Sequence, residues 1–125
     1  MTENDIGYRI IGACFKVYNA LGPGLLESAY EKALIMELSD QGLKVDCQVP
    51  ISIMYKNVSI GVGYKADIVV ESKVIIELKS VETLMSVHHR QLLTYLRLSN
   101  MKLGYLVNFN TDNIKDNIFR YANNL

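Results

Sequence analysis

Asp67, Glu77 and Lys79 stand within the stretch Ala66–Ser80, ADIVVESKVIIELKS, in a D-x9-E-x-K spacing. Two carboxylates and an ammonium are what a site needs to hold a divalent cation and a phosphate together. Carboxylate oxygens are hard donors that suit Mg²⁺ or Mn²⁺. Mg²⁺ in particular is usually held by one or two carboxylates, with water and substrate phosphate completing its shell. Lysine supplies a compact positive charge for phosphate oxygens.

The elements that position these groups can be worked out. Ile68-Val69-Val70 and Val74-Ile75-Ile76 are β-branched runs around Glu71-Ser72-Lys73, the pattern of a hairpin. A three-residue loop sets Val70 against Val74, Val69 against Ile75, Ile68 against Ile76 and Asp67 against Glu77. Opposed side chains have Cβ atoms roughly 4.5–5.5 Å apart. Two like charges there are unfavourable unless a proton or a cation lies between them. Glu77 and Lys79, two apart, share one face of their strand. This register therefore gathers Asp67, Glu77 and Lys79 on one side. A two-residue or four-residue loop would put Asp67 on the face opposite Glu77. The competing reading is a solvated strand end, with Glu77 and Lys79 as a surface ion pair of little energetic weight.

Two helical segments carry further polar groups. In VHHRQLLTYLRLS, His88, Gln91 and Tyr95 fall at i, i+3 and i+7, beside a stripe of Leu92, Leu93 and Leu96. Such a row is commonly an ordinary amphipathic face, but Gln and Tyr can also hold water or phosphate oxygens without adding charge. Adjacent His88 and His89 point in different directions on a helix, which disfavours a shared metal. Upstream, GPGLLESAY places Glu27 in a first helical turn, where the helix dipole favours a carboxylate.

Composition narrows the class. The chain has 125 residues, half of them hydrophobic, enough for one core and one domain over residues 1–125. Thirteen basic residues balance thirteen acidic ones, which argues against a generic basic coat for nucleic acid. No apolar run approaches the roughly 20 residues of a membrane span, and no signal peptide is visible in MTENDIGYRI. Cys14 and Cys47 lie in apolar contexts without metal-site spacing, so two buried free thiols and a cytoplasmic location are expected.

The order of elements reads α-α-β-β-β-β-β-α-β. A first helix is expected from about Asp5 to Leu21, with Ile6, Ile10, Val17 and Leu21 inward, ended by Gly22-Pro23-Gly24. A second runs from about Leu25 to Gln41, stopped by Gly42. Strands follow at Leu43–Val49, Ile51–Tyr55 and Val58–Gly63, with Lys56-Asn57 as a tight turn, and then the Asp67–Leu78 hairpin. Ser86 caps a helix from about Val87 to Asn100, and Gly104–Phe109 is a buried strand. Ile114–Tyr121 reads equally as a strand or a short helix. The sum is an α/β domain with a mixed sheet flanked by helices.

Five segments in this order, Gly24–Tyr30, Tyr64–Asp67, Val74–Lys79, His88–Leu96 and Leu103–Phe109, resemble the GxxExxY protein family. That family is grouped with the PD-(D/E)XK nuclease superfamily, and the likeness spans about Ile6 to Arg120. The resemblance implies a restriction-endonuclease-like α/β core, a central mixed sheet with helices on both faces. It implies that Asp67 and Glu77 match the metal-binding acids, Lys79 the motif lysine and Glu27 the acid of the preceding helix, while Gln91 and Tyr95 match a Q-x-x-x-Y helix. Ala66 stands where proline precedes the first acid, and Lys65 where arginine is usual. Lysine keeps the charge there but loses the bidentate fork. The implied activity is a Mg²⁺- or Mn²⁺-dependent phosphodiester hydrolase on nucleic acid, DNA ahead of RNA, monomeric or homodimeric. The alternative is a non-catalytic nucleic-acid- or protein-binding module on the same fold.

Overall fold

The apolar repeat of the N-terminal segment forms α1 (Glu3–Leu21), opened by Thr2. The Thr2 side chain accepts from the Asp5 N–H while Asp5 accepts from the Thr2 N–H, a reciprocal cap. α1 buries Ile6, Ile10, Cys14 and Val17 as expected, but Leu21 is 43% exposed because it lies at the helix end, beyond the sheet-facing stripe. α2 (Glu27–Asp40) begins two residues later than the sequence suggests, since Leu25 lies in a bend and Leu26 is extended, both of them exposed. The computed structural model of the chain describes residues 1–61 and 63–125. Val62, which falls in the expected strand Val58–Gly63, lies outside the described residues.

The strands are β1 (Val45–Pro50), β2 (Met54–Tyr55), β3 (Val58–Ser59), β4 (Lys65–Val70), β5 (Val74–Lys79), β6 (Leu103–Asn108) and β7 (Ile118–Ala122), with α3 (Ser86–Ser99) between β5 and β6. Five of them make one sheet in the order β1-β4-β5-β6-β7. β5 and β6 are parallel, joined by the α3 crossover, and the other neighbours are antiparallel. A mixed sheet results. β2 and β3 form a separate exposed ribbon closed at Lys56 and Asn57, both with positive φ, so the long strands expected there shrink to two residues each. The ambiguous tail is both things in turn, a 3₁₀ turn at Ile114–Asn117 and then β7.

The hairpin register is the expected one, with Val70 against Val74, Val69 against Ile75 and Ile68 against Ile76. Glu71 and Ser72 both take positive φ, and the Lys73 N–H donates to the Val70 carbonyl (3.0 Å). Two left-handed residues give the twist that a tight hairpin needs.

α1 and α2 cover one face of the sheet, where Ile6, Ile10, Leu34 and Leu38 pack with Ile68, Ile76 and Val107. α3 covers the other, where Leu92, Tyr95 and Leu96 pack with Val69, Ile75 and Leu106. Each fully buried Leu or Ile contributes about 1.5–3 kcal/mol. Two glycines set how closely the helices approach. A Cβ on Gly104 would lie 2.9 Å from Leu92 Cδ1, and one on Gly7 only 2.2 Å from the Tyr105 hydroxyl. Gly7→Ala is therefore expected to cost about 1–3 kcal/mol through overpacking. Gly12→Ala in the same helix, where a Cβ meets nothing within 4 Å, should gain about 0.4–1 kcal/mol from reduced unfolded-state freedom. Urea unfolding of the two variants checks both signs.

Two other expectations need correction. Cys14 is buried, but Cys47 is exposed, on the edge strand β1. Ser86 is the first residue of α3 and not its cap. Met85 occupies the cap, and its N–H donates to His88 Nδ1 (3.0 Å).

Candidate active site

The hairpin ladder stops at Ile68 and Ile76, one step short of Asp67 and Glu77. Beyond that point the carboxylates take over the backbone donors. The Asp67 N–H donates to Glu77 Oε1 (3.1 Å), and the Leu78 N–H donates to Asp67 Oδ2 (2.8 Å). The side-chain alternation of β4 also breaks here, since Ile68 packs on the α1–α2 side while Ala66 packs on the α3 side. Gln48, directly across β4 from Asp67 in the register of β1, has φ 51° and leaves the ladder. On the β1 side the interruption is one residue long, since pairing resumes at Val49–Ala66 and Pro50–Lys65, whereas on the β5 side the ladder ends and the two carboxylates bridge the strands.

Glu77 is buried (4% exposed) and Asp67 is half-buried. Burial, and then the neighbouring Asp67 charge, push the Glu77 carboxyl up to about 8. The Asp67 N–H and the Lys79 charge favour the carboxylate form, but burial and the second acid outweigh them. Each carboxylate spends one oxygen on a backbone N–H. The other oxygen of Asp67 has only a 3.5 Å contact from Gln48 Nε2. Two hard oxygen donors in an anionic recess fit Mg²⁺ or Mn²⁺. Among the described residues, no group of three or more His, Cys, Asp or Glu side chains stands close enough to hold a metal ion, so water or substrate would supply the remaining ligands.

Lys79 ends β5 on the same strand face as Glu77 and is half-buried. The ion pair found within 4 Å among the described residues is Lys44–Asp46, on the surface, so Lys79 is not locked to a carboxylate. The β5–α3 loop behind Lys79 is stapled by Asn108, 1% exposed. Its Oδ1 accepts from the Val81 N–H (3.1 Å), and its Nδ2 donates to the Val81 carbonyl (2.8 Å).

From α3, Gln91 Nε2 donates to the Tyr95 hydroxyl (3.0 Å). Burial first, and then the Glu77 charge, raise Tyr95 above the ordinary phenol value, so it stays a neutral donor beside the carboxylates. The histidines are otherwise engaged. His88 caps the helix start, and His89 meets the Tyr121 hydroxyl and packs edge-on to Phe119 (4.9 Å).

Glu27 is the first residue of α2 and is exposed. Its position is set by Tyr30, which stacks on Phe109 (4.5 Å) while its hydroxyl donates to the Gly22 carbonyl (2.6 Å) and accepts from the Leu25 N–H (3.1 Å). The Ser80 hydroxyl donates to the Leu25 carbonyl (2.6 Å), tying the start of α2 to the strand end that carries Lys79. The hydrogen-bonded route from α2 to Asp67 starts one turn later, at Glu31. Gln48 Nε2 donates to both Glu31 oxygens (3.2 and 3.3 Å) as well as approaching Asp67. Sequence reasoning missed Glu31, Gln48 and Asn108. Only Asn108 carried a local signal, a lone amide in the apolar run YLVNF.

No curated protein matches the chain, and no solved structure matches it. A model of the PD-(D/E)XK nuclease superfamily matches residues 4–121, from the first turn of α1 into β7. The match takes in the five-stranded mixed sheet and the helices on its two faces, an α/β restriction-endonuclease-like fold. By fold and by sequence, the chain belongs to the PD-(D/E)XK nuclease superfamily.

Proposed function

We propose that the chain is a divalent-cation-dependent phosphodiester hydrolase acting on nucleic acid, DNA before RNA, of the GxxExxY kind its motifs resemble. The observation that carries this reading is the buried Glu77 beside Asp67 just past the end of the β4–β5 ladder, with Lys79 two residues on. Asp67 and Glu77, with the Leu78 carbonyl, are the ligands for Mg²⁺ or Mn²⁺. When bound, the cation neutralises phosphate charge and acidifies water. Lys79 aims its ammonium at the phosphate oxygens where charge builds in the transition state. The Tyr95 hydroxyl, oriented by Gln91, donates to water or to the phosphate backbone. Glu27, held near Lys79 through the Leu25–Ser80 tie, reaches the cation's shell through water.

The test compares wild type with Asp67→Ala. A cation at about 100 times its Kd stabilises the wild type by about 2.7 kcal/mol in thermal unfolding, and the variant should show none of this. The wild type should cleave single- or double-stranded substrates with Mg²⁺ or Mn²⁺. Equal cleavage by both proteins would sink the assignment. Nucleic-acid binding that persists in EDTA, without cleavage under any metal, would favour the non-catalytic alternative.

A further inference from the structure

The face of α3 that carries Gln91 and Tyr95 also borders a cavity of about 540 Å³ that the cleavage chemistry leaves unused. Tyr64, Ile53, Leu98 and Arg90 line it with them. The volume lies within the roughly 300–1,000 Å³ of small-ligand sites. The Tyr64 and Tyr95 ring centroids are 6.2 Å apart, with planes tilted by 57°. Tyr64 is 44% exposed, whereas Tyr95 is 4% exposed, so Tyr64 offers the accessible aromatic surface. Ile53 sits at the foot of the β2–β3 ribbon, where the Ile60 N–H donates to its carbonyl (2.9 Å). An apolar recess with an aromatic wall and an arginine thus adjoins the carboxylate pair, sharing Tyr95 with it.

We propose that this cavity receives one unstacked nucleobase of a single-stranded nucleic acid, stacked on Tyr64, with Arg90 on a neighbouring phosphate. The inference rests on the hydrolase reading and deepens it by naming the substrate class. A base inside a duplex is stacked on both faces and cannot present its ring to Tyr64 without leaving the helix. Chain-wide charge supports the same choice. With thirteen basic and thirteen acidic residues, affinity cannot come mainly from neutralising many phosphates, as it does for duplex-coating proteins. Stacking on an aromatic side chain supplies affinity without net charge and tolerates any base.

The experiment measures binding in EDTA, where no turnover occurs. A single-stranded oligodeoxynucleotide carrying 2-aminopurine is titrated with the protein, which has no tryptophan to interfere, and compared with the same strand in a duplex. The single strand should bind at least tenfold more tightly, with a change in probe fluorescence as the base stacks. Tyr64→Ala should weaken it by about tenfold, and Tyr64→Phe should restore it. Arg90→Gln should weaken it and lower the salt slope by about one. Equal binding of strand and duplex, no effect of Tyr64→Ala in a protein of unchanged circular dichroism, or no binding of either would overturn the proposal. Failure of the hydrolase reading looks different, because it shows as absent cleavage with Mg²⁺ or Mn²⁺ while strand preference and Tyr64 dependence persist.

Discussion

Replacing Lys79 by alanine is expected to lower phosphodiester cleavage by about 10²–10³-fold, the usual effect of removing one group that stabilises transition-state charge. Divalent-cation binding should survive, since Asp67 and Glu77 keep their backbone partners without Lys79. The physical basis is the placement of Lys79. It follows Glu77 on the same strand face and pairs with Asn108 of β6 in the parallel ladder. Its own carbonyl accepts from the Phe109 N–H (3.0 Å), which fixes the backbone from which the side chain projects. The ammonium is therefore positioned by the sheet and not by an ion pair. Single-turnover cleavage and cation-linked thermal shift, measured on the same variant, separate the two functions. Asp67→Ala should lose both, whereas Lys79→Ala should lose only cleavage. A Lys79→Ala protein that cleaves at the wild-type rate would remove lysine from the mechanism.

Glu77→Gln should make the cation-free protein more stable near and above neutral pH, by a few kcal/mol, since each tenfold difference in proton affinity between the folded and unfolded states corresponds to about 1.36 kcal/mol. Glu77 titrates near 8 in the folded protein against an ordinary 4.5, because burial and then Asp67 disfavour its charge. The folded state accordingly holds a proton that the unfolded chain gives up. Stability is whole below pH 4.5 and declines as pH rises through 8. Glutamine is neutral at every pH and near-isosteric, so it should abolish that decline, and on the proposed mechanism it should abolish cleavage too. Urea unfolding between pH 5 and 9 in EDTA reads the effect, with converging curves at the acid end. Parallel pH profiles for the two proteins would mean that Glu77 ionises freely. In the wild type, saturating Mg²⁺ or Mn²⁺ should flatten the profile, since a cation between the two acids adds the counter-charge that Lys79 supplies only in part.

Much of the sheet could be read along the chain. β-branched runs around Glu71-Ser72-Lys73 specify a hairpin because alternation and loop length together set its register. The helices α1 and α3 follow from their apolar periodicity. The ribbon at Met54–Ser59 was harder, because the apolar residues Met54, Tyr55 and Val58 are exposed and no sheet neighbour extends their pairing. Cys47 was misplaced for a related reason, since an apolar local context does not say which strand ends up at the edge of the sheet.

The residue types and spacings of Asp67, Glu77 and Lys79, and hence their chemistry, are local properties, and the linear sequence determines them. What surrounds them was decided by the tertiary structure. The β4–β5 ladder ends at Ile68–Ile76, and a third strand brings Gln48, with φ 51°, to the other side of Asp67. The link from Glu31 through Gln48, and the Asn108 staple at Val81, join residues that are 17 and 27 positions apart. Periodicity reports which face a side chain takes within its own element. It does not report where two elements part, and the gap that a cation and a phosphate would need lies at such a parting.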